Sequence, residues 1–211
     1  MNTLDHCRWS SLWGRLFPSK DPSPLFLELQ TLYSAGNRYY HNCDHITDCL
    51  RELDSERSAP ADRSALELAI WFHDAIYDST ASDNEQRSAA LAHRSITAAG
   101  GPESLAAVVR SLVLATKTHD HHVGVDAPWM IDIDLCIFGK AEAEFDAYEA
   151  KIRAEYSWVE EREFRVRRAA ILERFLSRPI LYATPPFRAK YENSARANLL
   201  RSITQLRSNI V

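Results

Sequence analysis

The chain is expected to fold as an all-α protein, and three features of its sequence lead there. Apolar residues recur at spacings of three, four and seven from Leu25 to Leu206, the period of helices with one face turned inward. Glycine occurs only six times in 211 residues. Ala, Leu, Arg and Glu are abundant, a balance that suits helices and disfavours glycine-rich nucleotide-binding folds. A single stretch, Ile131 to Leu135, alternates with period two, and no partner strand is visible for it. A sheet of more than two short strands is therefore not expected. With 45% apolar residues the chain can bury a sizeable core, and its length suits one domain, residues 1–211. The core of that domain is expected over about residues 25–140, with additional helices over 141–207.

Composition narrows the partners. The net charge is −4 with the two signs interspersed, which argues against binding of a nucleic-acid polymer. Cys7, Cys43, Cys49 and Cys136 have no C-x-x-C spacing, so neither a zinc ribbon nor a dithiol redox site is suggested. Scattered thiols suit a reducing cytoplasm. Asp5, His6 and Arg8 interrupt the apolar residues near the N-terminus, so no signal-peptide core is expected. No apolar run reaches about 18 residues, so no membrane span is expected either. A monomer or weak homodimer is the expected state.

Taken in order, residues 1–23 read as a short helix carrying Trp9, Leu12, Trp13, Leu16 and Phe17, followed by a Pro-Ser loop. Pro24 opens a second helix with Leu25, Leu29, Leu32 and Tyr33 inward, closed by Gly36. A third begins near Asn42, buries Ile46, Cys49, Leu50 and Leu53, and ends around Asp54; His45 lies beside that stripe. Arg38, Tyr39, Tyr40 and His41 precede it, at a helix N-terminus that favours anions. Residues 60–77 form the fourth helix, with Leu66, Ala69, Ile70, His73 and Tyr77 on one face. After a polar loop, Asp83 and Gln86 read as a capping box for a helix that reaches Gly100-Gly101, with Glu85 in its first turn. Pro102 opens the next, with Leu105, Val108, Val109, Leu112, Val113 and Thr116 inward, ending in Lys117-Thr118-His119-Asp120-His121-His122. A loop leads to residues 131–139, taken as the start of a helix. Residues 141–158 and 160–176 are two charged amphipathic helices, with Arg162, Arg165, Arg167 and Arg168 on a solvated face. Pro179 and Pro185-Pro186 break the pattern before a closing helix over 189–207, with Tyr191, Ala195, Leu199, Ile203 and Leu206 inward.

Two places in this helical pattern resist a purely structural reading. His73-Asp74 sits in an apolar segment, and Asp132 and Asp134 alternate with isoleucine and leucine. A buried carboxylate without a partner costs several kcal/mol. A core histidine bonded to a carbonyl, with Asp74 at the wet end of its helix, is the plain alternative. A divalent first-row cation satisfies imidazole and carboxylate together. His45, His73, Asp74 and one of Asp132 or Asp134 make a candidate ligand set with positions left for water and substrate.

The order His, His-Asp, distant Asp resembles the HD superfamily of metal-dependent phosphohydrolases, an all-helical family. More closely, the chain resembles a bacterial subgroup of predicted HD phosphohydrolases. The shared segments are Arg-Tyr-Tyr-His-Asn-x-x-His (Arg38 to His45), Trp-Phe-His-Asp-x-x-Tyr-Asp (Trp71 to Asp78) and Asn-Glu-x-x-Ser-Ala (Asn84 to Ala89). Ala-Thr-x-x-His (Ala115 to His119), Asp-x-Asp-Leu-x-x-x-Gly (Asp132 to Gly139) and Glu-Asn-Ser-Ala-Arg-Ala-Asn-Leu (Glu192 to Leu199) follow. Together they cover about residues 25–205. The resemblance implies metal ligation by His45, His73, Asp74 and Asp134, with Asp132 the less favoured choice for the last position. It implies one or two divalent ions (Mn, Mg, Fe, Co, Ni or Zn) and hydrolysis of a nucleotide or other small phosphorylated metabolite by metal-activated water. Glu85 is the candidate for orienting that water. Lys117, His119 and Arg38 are candidates for neutralising phosphate charge, and Arg38, Tyr39 and His41 for holding substrate. Two other expectations stand beside this one: a non-catalytic nucleotide-sensing module, and an HD-fold di-iron oxygenase, which would need further ligands such as His121 and His122.

Overall fold

Helical periodicity becomes ten α-helices and one 3-10 helix in the computed structural model, which describes residues 3–56 and 60–208 and contains no strand among them. The expected segment 1–23 and the expected domain 1–211 include residues 1, 2, 57–59 and 209–211, which lie outside the described residues. The chain forms two compact units, Met1–Ile133 and Asp134–Val211. No helix among the described residues is long and apolar enough to cross a membrane.

The first unit is built around its fourth helix. Helix α1 (His6–Leu16) starts where the Asp5 side chain accepts from Arg8 N–H, and it buries Trp9, Leu12 and Trp13. Helix α2 (Ser23–Tyr33) buries Phe26, Leu29 and Tyr33, leaving the expected Leu25 and Leu32 half-exposed. Helix α3 (Cys43–Ser55) is capped by Asn42, whose side chain accepts from Asp44 N–H. Helix α4 (Arg63–Phe72) is buried at every position from Ala65 to Phe72. Trp9 lies edge-on to both Trp71 and Phe72, with ring centroids 5.3 and 6.2 Å away. Even Glu67 is buried, where it takes a 2.7 Å hydrogen bond from Arg8 Nε. The start of α4 is pinned from afar: the Asp126 carboxylate accepts from the N–H groups of Ala61 and Asp62 at 2.7 and 2.8 Å.

Helices α5 (Asn84–Ala98) and α6 (Glu103–Thr118) pack on one another and on α4. Gly100 ends α5 at φ 80°, and the N–H groups of Gly100 and Gly101 return to Thr97 and Ile96, a Schellman closure that needs the left-handed residue. The expected capping box is not formed: Asp83 makes no side-chain cap, and the Gln86 amide oxygen accepts from Lys117 instead. Val108 is 43% exposed, against expectation, because the buried stripe of α6 runs through Ala106, Val109, Leu112, Val113 and Thr116. Helix α7 (Ala127–Asp134) follows. The stretch taken as a helix start is thus the end of a helix begun earlier.

In the second unit a 3-10 helix (Leu135–Gly139) precedes α8 (Glu142–Glu155), α9 (Glu161–Leu176) and α10 (Pro185–Ser208). Helix α10 packs on α9 and on the 3-10 helix. It begins at Pro185, not after the proline pair, because the first turn of a helix has no use for the N–H groups that prolines lack. Arg168 is buried and not solvated: it bonds Glu149 and, at 2.8 Å, the Tyr148 hydroxyl. Asn198 donates to the carbonyls of Phe138 and Lys140 at 2.9 and 3.0 Å, tying α10 to the end of the 3-10 helix. Gly139 lies so close to Tyr191 that an added Cβ would overlap that ring. Gly139→Ala is therefore expected to destabilise the protein by about 1–3 kcal/mol through forced repacking. Chemical denaturation with circular dichroism checks it, and an unchanged midpoint would contradict the contact.

Candidate metal centre

Helix α4 stops at Phe72, earlier than the expected end at residue 77, and His73 is its C-cap. The physical reason lies outside the helix. The carbonyls of Asp74 and Ala75 accept hydrogen bonds from the Arg38 guanidinium at 2.6 and 2.7 Å, which replace the N–H partners a continuing helix would supply. A third bond, 3.0 Å, goes from Arg38 to the His41 carbonyl. The N–H of Ile76 meets the Ser88 hydroxyl at 2.9 Å. Just past the helix, Asp74 Oδ2 lies against His73 Nε2.

Three donor atoms meet there. His45 Nε2 and His73 Nε2 are 3.1 Å apart, and Asp74 Oδ2 lies 3.6 Å from the first and 3.2 Å from the second. Both histidines are buried, and the Asp74 side chain is 17% exposed. Ligands at adjacent positions around a first-row divalent ion stand about 3.0 Å apart in an octahedron and about 3.4 Å in a tetrahedron, given metal–donor bonds near 2.1 Å. Two sides of the observed triangle, 3.1 and 3.2 Å, fall in that range, and the third, 3.6 Å, lies just above it.

Tautomers sharpen the point. His73 Nδ1 is 2.9 Å from the Ile70 carbonyl, which can only accept, so Nδ1 carries the proton. Nε2 of the neutral ring then presents its lone pair to a carboxylate oxygen. That arrangement requires positive charge between them, either a second proton on the ring or a cation. Burial pushes the Asp74 carboxyl up, but the charges of His73, His41 and His45 and the contact with His73 outweigh it and hold it well below the usual carboxylate range. The residues present therefore fit a divalent ion: one dication serves all three donors, where protons on both rings would repel one another.

Aromatic groups flank His45 and its neighbour His41. Tyr40 is tilted against His45 at 4.7 Å, and His41 stacks on Tyr77 at 4.2 Å. Tyr39 is 49% exposed. Arg38, expected to meet substrate, is only 7% exposed and lies over the Tyr33 and Tyr77 rings at 5.2 and 5.6 Å. Its visible work is to hold the turn at Asp74.

The remaining expected residues are placed as follows. Glu85, in the first turn of α5, and Lys117, in the last turn of α6, come together at 3.7 Å. Lys117 Nζ also donates to the Ser82 carbonyl and the Gln86 amide oxygen at 2.6 and 2.9 Å. His119 caps α6 in the left-handed conformation, φ 50°. Asp132 is fully buried and faces His121, with Nε2 and Oδ1 3.2 Å apart. Asp134, two residues on, is half-buried, ends α7 and begins the second unit. At about 100° per residue the two carboxylates leave α7 on opposite sides.

Cys49 is the residue that periodicity concealed. It counts as one more apolar position on α3, yet its Sγ is 3.8 Å from both ring nitrogens of His45. Its spacing of four from His45 was the available signal. No family model, no curated protein and no solved structure matches this chain.

Arg38→Gln is expected to cost about 3 kcal/mol, because it removes charged donors from buried carbonyls. It should also loosen the turn at Asp74 and weaken divalent-ion binding. Thermal denaturation and calorimetric ion titration check the two effects, and native stability in the variant would refute the role.

Proposed function

We propose that this chain is a metal-dependent phosphohydrolase of the HD superfamily, acting on a nucleotide or another small phosphorylated metabolite. The observation that supports the reading is the convergence of His45, His73 and Asp74 on one point with ion-sized spacings. These residue types suit a first-row divalent ion and leave positions for other ligands. Asp134 is proposed as a further ligand from the sequence pattern, ahead of Asp132. One or two ions per chain fit the reading. A bound ion would lower the pKa of water and polarise a phosphoryl oxygen.

The chain's own residues supply orientation and charge. His73 is held by its Nδ1–H bond to Ile70, and Asp74 by the Arg38 clamp on its backbone. His41 and Tyr39 offer aromatic and imidazole surface for substrate. Glu85 would orient water, and Lys117 and His119 would offset phosphate charge, with Lys117 exchanging its present oxygen partners for those of substrate. The setting proposed is cytoplasmic, as a monomer or weak homodimer, with no nucleic-acid polymer as partner.

Metal content of the purified protein, measured with phosphate release from a panel of nucleotides and sugar phosphates in Mn2+, tests the proposal. Asp74→Ala should lower metal affinity more than about a hundredfold and abolish turnover. Full metal content and activity in that variant would refute the site. Bound metal with no phosphate release from any substrate would refute hydrolysis and leave a sensing module. In a second comparison, Asp134→Asn is expected to lose metal, and Asp132→Asn to keep metal with weaker turnover. Loss confined to Asp132→Asn would reverse that assignment.

A further inference from the structure

Cys49 lies one helical turn beyond His45 on α3, at 1% exposure. Its sulfur and one ring nitrogen of each of His45 and His73 all lie within 4.8 Å of one another. Around a tetrahedral zinc ion, with bonds of about 2.0 Å to nitrogen and about 2.3 Å to sulfur, donors stand about 3.3 Å apart for two nitrogens and about 3.5 Å for nitrogen and sulfur. The corresponding separations here are 3.1 and 3.8 Å. A buried sulfur 3.8 Å from the His45 ring nitrogens and within 4.8 Å of a His73 ring nitrogen has the position of a ligand and not merely of a packing group.

Resting on the reading of His45, His73 and Asp74 as ligands, we propose that Cys49 is a further ligand whose thiolate selects a thiophilic first-row ion (Zn2+, Co2+ or Fe2+) over Mg2+. Magnesium takes oxygen donors in a strict octahedron, whereas thiolate favours the softer ions. Two neutral imidazoles bring no charge to offset a buried dication, and a thiolate adds a second negative charge beside that of Asp74. On ligation the S–H bond breaks, both electrons of the new bond come from sulfur, and the proton leaves to buffer. No oxidant or reductant takes part. Cys43, Cys136 and the exposed Cys7 are the other thiols of the chain.

The experiment is a Co2+ titration of the metal-free full chain, followed by near-ultraviolet absorption, in the native protein and in Cys49→Ser. The native protein is expected to show a sulfur-to-cobalt charge-transfer band that saturates with binding. Cys49→Ser should still bind Co2+ without the band, and its preference for Zn2+ over Mg2+ in competition titrations should fall at least about tenfold. X-ray absorption of the Zn2+-loaded native protein needs no variant and should find a sulfur neighbour at about 2.3 Å. Saturable Co2+ binding with no band and no sulfur neighbour would overturn the role of Cys49 and leave the His-Asp site standing. A band that persists in Cys49→Ser would assign the sulfur to another cysteine and equally overturn it. Failure of the native protein to bind any of these ions would overturn both readings.

Discussion

The first unit depends on how a fully buried helix is allowed to end. Helix α4 is enclosed from Ala65 to Phe72, so its last carbonyls emerge where water cannot satisfy them. A buried carbonyl left without a donor costs about 1–3 kcal/mol. In the last turn the Tyr33 hydroxyl meets the Trp71 carbonyl at 3.1 Å, and just past the helix Arg38 places two guanidinium nitrogens on the carbonyls of Asp74 and Ala75. The guanidinium is itself sandwiched against the Tyr33 and Tyr77 rings, which accept its charge on their π faces. Two residues before α3 thus determine where the backbone leaves α4.

That exit point has a chemical consequence. Had α4 continued for another turn, Asp74 would project about 100° away from His73 around the helix. With the helix ended, the Asp74 carboxylate lies 3.2 Å from His73 Nε2. The Ile70 carbonyl fixes the other face of the same ring. A lone pair, a second imidazole nitrogen and a carboxylate then share one buried point, and electrostatics favours positive charge there. The end of the helix and the meeting of these donors belong to the same turn.

The four side chains come from a helix and a turn. His45 and Cys49 ride on one face of α3, where the spacing of four fixes their mutual position. His73 and Asp74 belong to a turn whose shape is imposed by Arg38 and Ser88. Under the proposed ligation by Cys49, ion identity would follow from α3 and ion retention from the turn.

The sequence by itself determined the helices and the residues worth watching. Periodicity is local, so most of each apolar stripe could be read from its own segment, Leu25, Leu32 and Val108 excepted, and α3 and α6 begin next to Asn42 and Pro102 as expected. The His-Asp dipeptide stood out because carboxylates are costly among apolar neighbours. What only the tertiary structure decided were the partners. That α4 ends at Phe72, that Arg38 turns inward, that Arg168 is buried on Glu149 and that Lys117 lies against Ser82, Gln86 and Glu85 all depend on groups supplied by other segments. Cys49 shows the limit most clearly: its burial was readable from α3 alone, but its approach to His73 is set by how α3 packs on α4. A period describes which way a side chain leaves its own helix, and only packing decides what it meets.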